Sequence, residues 1–89
     1  MGQQHYIVHG RVQGVFYRQS TCKKAIQLGL TGWVRNLKDS TVEVWAVGEA
    51  QQLQLLESWL QVGPPAATVT EVVKTAFVDT AGYQDFSVR

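Results

Sequence analysis

The stretch Gln13-Gly14-Val15-Phe16-Tyr17-Arg18 joins a segment of alternating residues to a segment of helical periodicity, and its residue types can do chemistry. A strand that turns straight into a helix gathers main-chain N–H groups at one point, where an anion also meets the positive end of the helix dipole. Gly14 accepts dihedrals closed to other residues and lets a ligand approach the backbone. From Val15 to Tyr17 there is no Ser, Thr, Asp or Asn to cap the helix, so its first donors are left for an outside acceptor. Arg18 adds a guanidinium able to pair bidentately with phosphate or carboxylate. The same residues fit a plainer alternative, in which Ser20 caps a later helix start and Arg18 is solvated.

Other chemistries fail on spacing. A P-loop needs G-x-x-x-x-G-K-[ST], but Gly10 and Gly14 are too close and Val15 stands where the lysine belongs. A cysteine phosphatase wants its Arg six residues after the Cys, and the residue there is Leu28. There is no G-x-S-x-G elbow. His5 and His9 share a strand face but stand ~13 Å apart at ~3.3 Å per residue, too far to grip one metal. They are expected as surface histidines on an open sheet face. Cys22 lies beside a helical stripe with Ile26 and reads as a small core residue. Trp33 and Trp59 read as packing, and Trp45 is expected on the less covered face.

The elements that must position the Gln13–Arg18 joint follow from periodicity. Between about 4 and 12, Tyr6, Val8, Gly10 and Val12 alternate with His5, Ile7, His9 and Arg11, which predicts a strand with one covered face. From about 17 to 28, Tyr17, Thr21, Ala25 and Leu28 share a helical stripe flanked by Cys22 and Ile26, and Gly29 supplies a left-handed stop. Strands are expected near 32–37 and 41–47, joined by a turn through Lys38-Asp39-Ser40. A second helix from about 49 to 62 carries Leu53, Leu56 and Leu60 and ends at Gly63-Pro64-Pro65. A β-type run spans about 68–78, and Phe86-Ser87-Val88 forms a short last strand. The order β-α-β-β-α-β plus a final strand predicts an α+β, ferredoxin-like sandwich with both helices on one face of a mostly antiparallel sheet.

Composition narrows the function classes. The 89 residues are expected to form a single domain, and their formal net charge of +1 argues against nucleic acid or an anionic membrane as partner. One cysteine excludes a disulfide framework and a multi-cysteine zinc site. The longest apolar run, Val44 to Val47, is far short of a membrane span. A cytoplasmic location is expected.

Gly10-Arg11-Val12-Gln13-Gly14-Val15-Phe16-Tyr17-Arg18 resembles the first signature of the acylphosphatase family, G-x-V-Q-G-V-x-[FY]-R, at every specified position. Gly32-Trp33-Val34-Arg35-Asn36-Leu37, followed by Thr41-Val42-Glu43-Val44, is similar to its second, and Phe86-Ser87-Val88-Arg89 to its usual ending. Ser40 departs from the pattern, since many members have Gly in that turn; a non-Gly residue in a left-handed position costs ~1 kcal/mol unless the turn takes another type.

The resemblance implies hydrolysis of a carboxyl–phosphate anhydride to a carboxylate and inorganic phosphate, with no metal or cofactor. It implies that Arg18 and the loop from Gln13 through Gly14, Val15, Phe16 and Tyr17 hold the phosphoryl group. Asn36 corresponds to the residue that orients the attacking water, and Thr41 to a hydroxyl that helps position the Asn36 amide. The expected partners are a small-molecule acyl phosphate and inorganic phosphate, as product and inhibitor, acting on a monomer. Taken alone, Asn36 is better explained as a turn-forming residue near a strand end, and the match to both signatures reverses that. Two alternatives stand beside this function. One is a non-catalytic acylphosphatase-like module that keeps the anion cradle for recognition. The other is a ferredoxin-like RNA binder, which would need stacking aromatics and a basic face.

Overall fold

Alternation along the first segment sends Tyr6 and Val8 to one face and His5, Ile7 and His9 to the other, and a computed structural model describing residues 1–89 forms β1 over Gly2–Arg11. The remaining elements are α1 (Tyr17–Gln27), β2 (Thr31–Asn36), β3 (Val42–Gly48), α2 (Ala50–Leu60), β4 (Thr68–Thr75) and β5 (Phe86–Val88). The sheet order is β4-β1-β3-β2-β5, antiparallel throughout except where β5 runs parallel to β2. This is the ferredoxin-like α+β fold with one added edge strand. No helix is long and apolar enough to cross a membrane.

The main core lies between the sheet and both helices. Tyr6, Val8, Val34, Val42, Val44 and Ala46 from the strands meet Tyr17 and Ala25 of α1 and Leu53, Leu56 and Leu60 of α2. Cys22 packs against this core as expected, with its thiol directed at the Phe86 carbonyl at 3.4 Å. Burial pushes that thiol's pKa up, away from nucleophilic use. Ile26, expected to flank the buried stripe, is instead exposed, because the helix turns that side to solvent.

The second face corrects one expectation, since His5 is buried rather than facing solvent. Trp45, paired with it across β3 and β1, lies on the face away from the helices as expected, and is buried there as well. Their cover comes from the chain after β4, which leaves the sheet at Thr75 rather than continuing to 78 and folds back across this face. Phe77 lies 4.5 Å from the His5 ring and 5.9 Å from that of Trp45. Asp79 accepts a hydrogen bond from the Trp33 indole N–H at 2.9 Å. Beneath this cover His5 joins Glu43 through Nε2 at 2.7 Å and Thr75 through Nδ1, while Arg35 donates to the other Glu43 oxygen. A buried carboxylate paired and hydrogen-bonded on both oxygens escapes most of its desolvation cost. The result is a thin second layer over the central strands, on the face opposite the helices.

Candidate active site

α1 begins without a side-chain cap. Its N-cap residue, Phe16, sits at φ 64° and ψ 20°, in the left-handed region, and no acidic residue occupies the first turn. Ser20 does not cap a later start; its own N–H already makes the first helical bond, to the Phe16 carbonyl at 3.0 Å. The main-chain N–H groups from Gly14 to Gln19 therefore make no hydrogen bond within the protein. Donors at a helix N-terminus project along the axis out of the helix, so this joint presents a cluster of free donors with the positive dipole end behind it. Gly14 makes the turn possible: its φ is 74°, and a Cβ there would meet open space, so backbone conformation rather than crowding calls for glycine.

Beside these donors is a cavity of about 240 Å³. Val12 and Tyr17 form its buried floor, Gly14, Phe16, Arg18 and Gln19 its wall from the loop and first turn, and Asn36 its side from the end of β2. Arg18 is the sole charged group on it. No Asp or Glu side chain forms an ion pair with Arg18; its Nη1 donates to the main-chain oxygen of Arg89 at 3.1 Å, and its other N–H groups make no hydrogen bond within the protein. The Asn36 Oδ1 is buried and has no hydrogen-bond partner. An unpaired carbamoyl oxygen closed to water costs about 1–3 kcal/mol, and another part of the same residue lines the cavity.

Of the residues singled out from the sequence, Gly14, Phe16, Tyr17, Arg18 and Asn36 meet at one cavity. Val15 does not line it; its side chain is buried in the core, leaving its N–H as its possible contribution. The Gln13 side chain also points elsewhere. Its amide donates to the carbonyls of Leu37, at 2.8 Å, and Thr41, at 2.7 Å, and so ties the loop to the β2–β3 turn that follows Asn36. Thr41 makes no hydrogen bond with Asn36. Its hydroxyl and N–H both go to Asp39, whose carboxyl is held below the usual carboxylate range chiefly by that hydroxyl. Thr41 thus closes the turn, and within that turn Ser40 takes the left-handed conformation at φ 74°. Gln19 was not singled out; its place after Arg18 on the first helical turn is the signal that would have found it.

The arrangement can seat a tetrahedral oxyanion against N–H donors and one guanidinium, with the Asn36 carboxamide on the same cavity. Comparison with known proteins points the same way. The family model described as acylphosphatase matches residues 4–88. An acylphosphatase of Cupriavidus pinatubonensis is 57% identical over 85 residues, 96% of this chain and 92% of its own length. The structure of an acylphosphatase from Coxiella burnetii superposes with a TM-score of 0.90 at 47% identity, covering 98% of this chain and 90% of that one. A structure of HypF from T. kodakarensis superposes with a TM-score of 0.87 at 26% identity, with all of this chain matching only 12% of that one. The chain belongs to the acylphosphatase family.

Proposed function

We propose that this cavity hydrolyses acyl phosphates, with Arg18 and the free N–H groups of Val15 to Arg18 holding the phosphoryl group and Asn36 placing the attacking water. The observation that carries the reading is the meeting, at one small cavity, of an uncapped helix start whose N–H groups make no hydrogen bond, the Arg18 guanidinium and Asn36.

Attack at phosphorus is catalysed mainly by positioning and by stabilising charge on the transferring oxygens, which is what N–H donors and a guanidinium supply. Asn36 has no basic group for neutral pH, but its Oδ1 accepts a hydrogen bond and its NH2 donates two. One water held by complementary bonds is thereby aimed along the line opposite the leaving group. A new P–O bond forms to the water oxygen as the P–O bond to the acyl oxygen breaks. The acyl group leaves as a carboxylate with the bonding pair, and both water protons stay on the phosphate product. A carboxylate leaves readily, so no strong general acid is needed to protonate it. Gln13 joins the phosphate loop to the strand carrying Asn36, and we assign it this positioning role rather than direct contact. The product, inorganic phosphate, competes for the same cradle.

Turnover of benzoyl phosphate by the purified chain, in the presence of a metal chelator, tests this. Continued hydrolysis, inhibited competitively by inorganic phosphate, is expected. Phosphate binding without turnover would instead mark a recognition module, and activity lost to chelator but restored by a divalent ion would contradict the metal-free scheme.

A further inference from the structure

The reading above uses only the main chain of Phe16, yet its side chain is the unusual feature of the cavity. Its backbone lies in the left-handed region at φ 64°, unfavourable for a bulky residue, and the ring is 72% exposed. Gly or Asn would hold the same backbone at lower cost, and neither would show an aromatic ring to water. Val12 and Tyr17 form the buried floor, so Phe16 is the apolar group at the rim. Strained residues persist where the surrounding structure imposes them, and they concentrate at functional sites. The cradle accounts for the backbone strain but not for the ring.

A substrate explains the ring. With phosphorus in the cradle and water on the Asn36 side, the acyl group is the one remaining substituent, and it must project away from the cradle towards the rim. We propose that the Phe16 ring is the contact for the acyl group and biases the site towards acyl phosphates with flat, apolar acyl groups, an aroyl phosphate over acetyl phosphate. This rests on the acyl phosphate reading of the same cavity. Aromatic groups prefer offset-stacked or edge-to-face contact with one another. Covering about half of an exposed Phe side chain corresponds to roughly a tenfold gain in affinity.

The test compares benzoyl phosphate with acetyl phosphate for the wild-type chain and for Phe16→Asn, Phe16→Gly and Phe16→Tyr. Asn and Gly both tolerate the left-handed backbone, so two ring-less variants guard against loss of one to misfolding. The ratio of kcat/KM for benzoyl over acetyl phosphate is expected to fall about tenfold in Phe16→Asn and Phe16→Gly, through a higher KM for benzoyl phosphate. Phe16→Tyr, which keeps the ring, should retain the wild-type ratio. An unmoved ratio in the ring-less variants, or a fall carried by kcat alone, would overturn the contact. Those outcomes leave hydrolysis by the wild-type chain intact, whereas failure of the wild-type chain to hydrolyse either compound would sink the parent reading and this proposal with it.

Discussion

Changing Gln13 to Glu replaces one amide NH2 by an oxygen at a point where two carbonyls converge. The wild-type amide uses both hydrogens there, reaching Leu37 O at 2.8 Å and Thr41 O at 2.7 Å. Gln13→Ala simply loses both bonds, each worth about 0.5–1.5 kcal/mol net. Neither carbonyl is then orphaned, because Leu37 O still takes the Ser40 N–H at 3.3 Å and Thr41 O the Leu37 N–H at 2.9 Å. The cost should therefore sit near the low end, about 1–2 kcal/mol, or a fall in Tm of roughly 5–15 °C for a chain this small. Gln13→Glu has nearly the native shape but sets a carboxylate oxygen against two carbonyl oxygens. It should cost a further ~1–3 kcal/mol, as expected for a charged group left unsatisfied.

That ordering reverses what side-chain size alone predicts, and acid should relax it. The carboxyl introduced by Gln13→Glu faces acceptors, so its folded-state pKa lies above the unfolded value of about 4.3. The penalty is then full above the folded value and fades as pH falls towards the unfolded one, where the protonated acid offers one O–H donor. Thermal unfolding followed by circular dichroism at pH 7 and pH 4 reads both effects. A Gln13→Glu protein at least as stable as Gln13→Ala at pH 7, or one that gains nothing relative to wild type in acid, would refute the role given to this amide. Because the same bonds join the phosphate loop to the strand bearing Asn36, kcat should also fall in both variants by ~10-fold or more.

Phosphate or sulfate should raise the Tm against a chloride control of equal ionic strength, by about 1.4 kcal/mol of added stability at ten times the anion's Kd; no shift would count against the cradle. Ser40→Gly should stabilise the protein by up to ~1 kcal/mol by relieving a left-handed serine, measured as an increase in the denaturation midpoint, and no gain would mean the turn is not strained. The Asp79 carboxyl is held below its usual range by hydrogen bonds from the Tyr83 hydroxyl, the Ala81 N–H and the Trp33 indole. Its contribution is present above the unfolded value of about 3.9 and lost as pH falls through the lower folded value, so Asp79→Asn should flatten that acid limb of the stability curve.

Much of the fold was legible because periodicity changes cleanly from two to 3.6 and back between Gln4 and Asn36, and Gly29 and Gly63-Pro64-Pro65 punctuate both helices. What periodicity could not reveal was cover from a distance. His5 and Trp45 alternate as open-face residues should, but residues after Thr75, whose sequence carries no strong pattern, fold over them. The exposed side of a sheet is decided by such long-range returns and not by the strand itself. At the site, residue types located the cradle, since a helix start without a capping side chain is visible in the sequence around Phe16. Side-chain direction was not visible. The turn takes the Gln13 amide and the Thr41 hydroxyl for its own bonds, as competing local acceptors will, and the freedom of Asn36 became apparent only once those bonds were placed.

The division of labour between Arg18 and Asn36 is tested most directly by measuring phosphate affinity by calorimetry beside steady-state kcat for Asn36→Ala, with Arg18→Gln as the contrasting variant. Asn36→Ala leaves the cradle whole, so phosphate should bind nearly as in the wild type while kcat falls by ~10²-fold or more, the scale of losing one preorganised polar group. Arg18→Gln should lose both, since the guanidinium holds the phosphoryl group before and during reaction. A folded Asn36→Ala protein that no longer binds phosphate, or one that turns over substrate at the wild-type rate, would contradict the account.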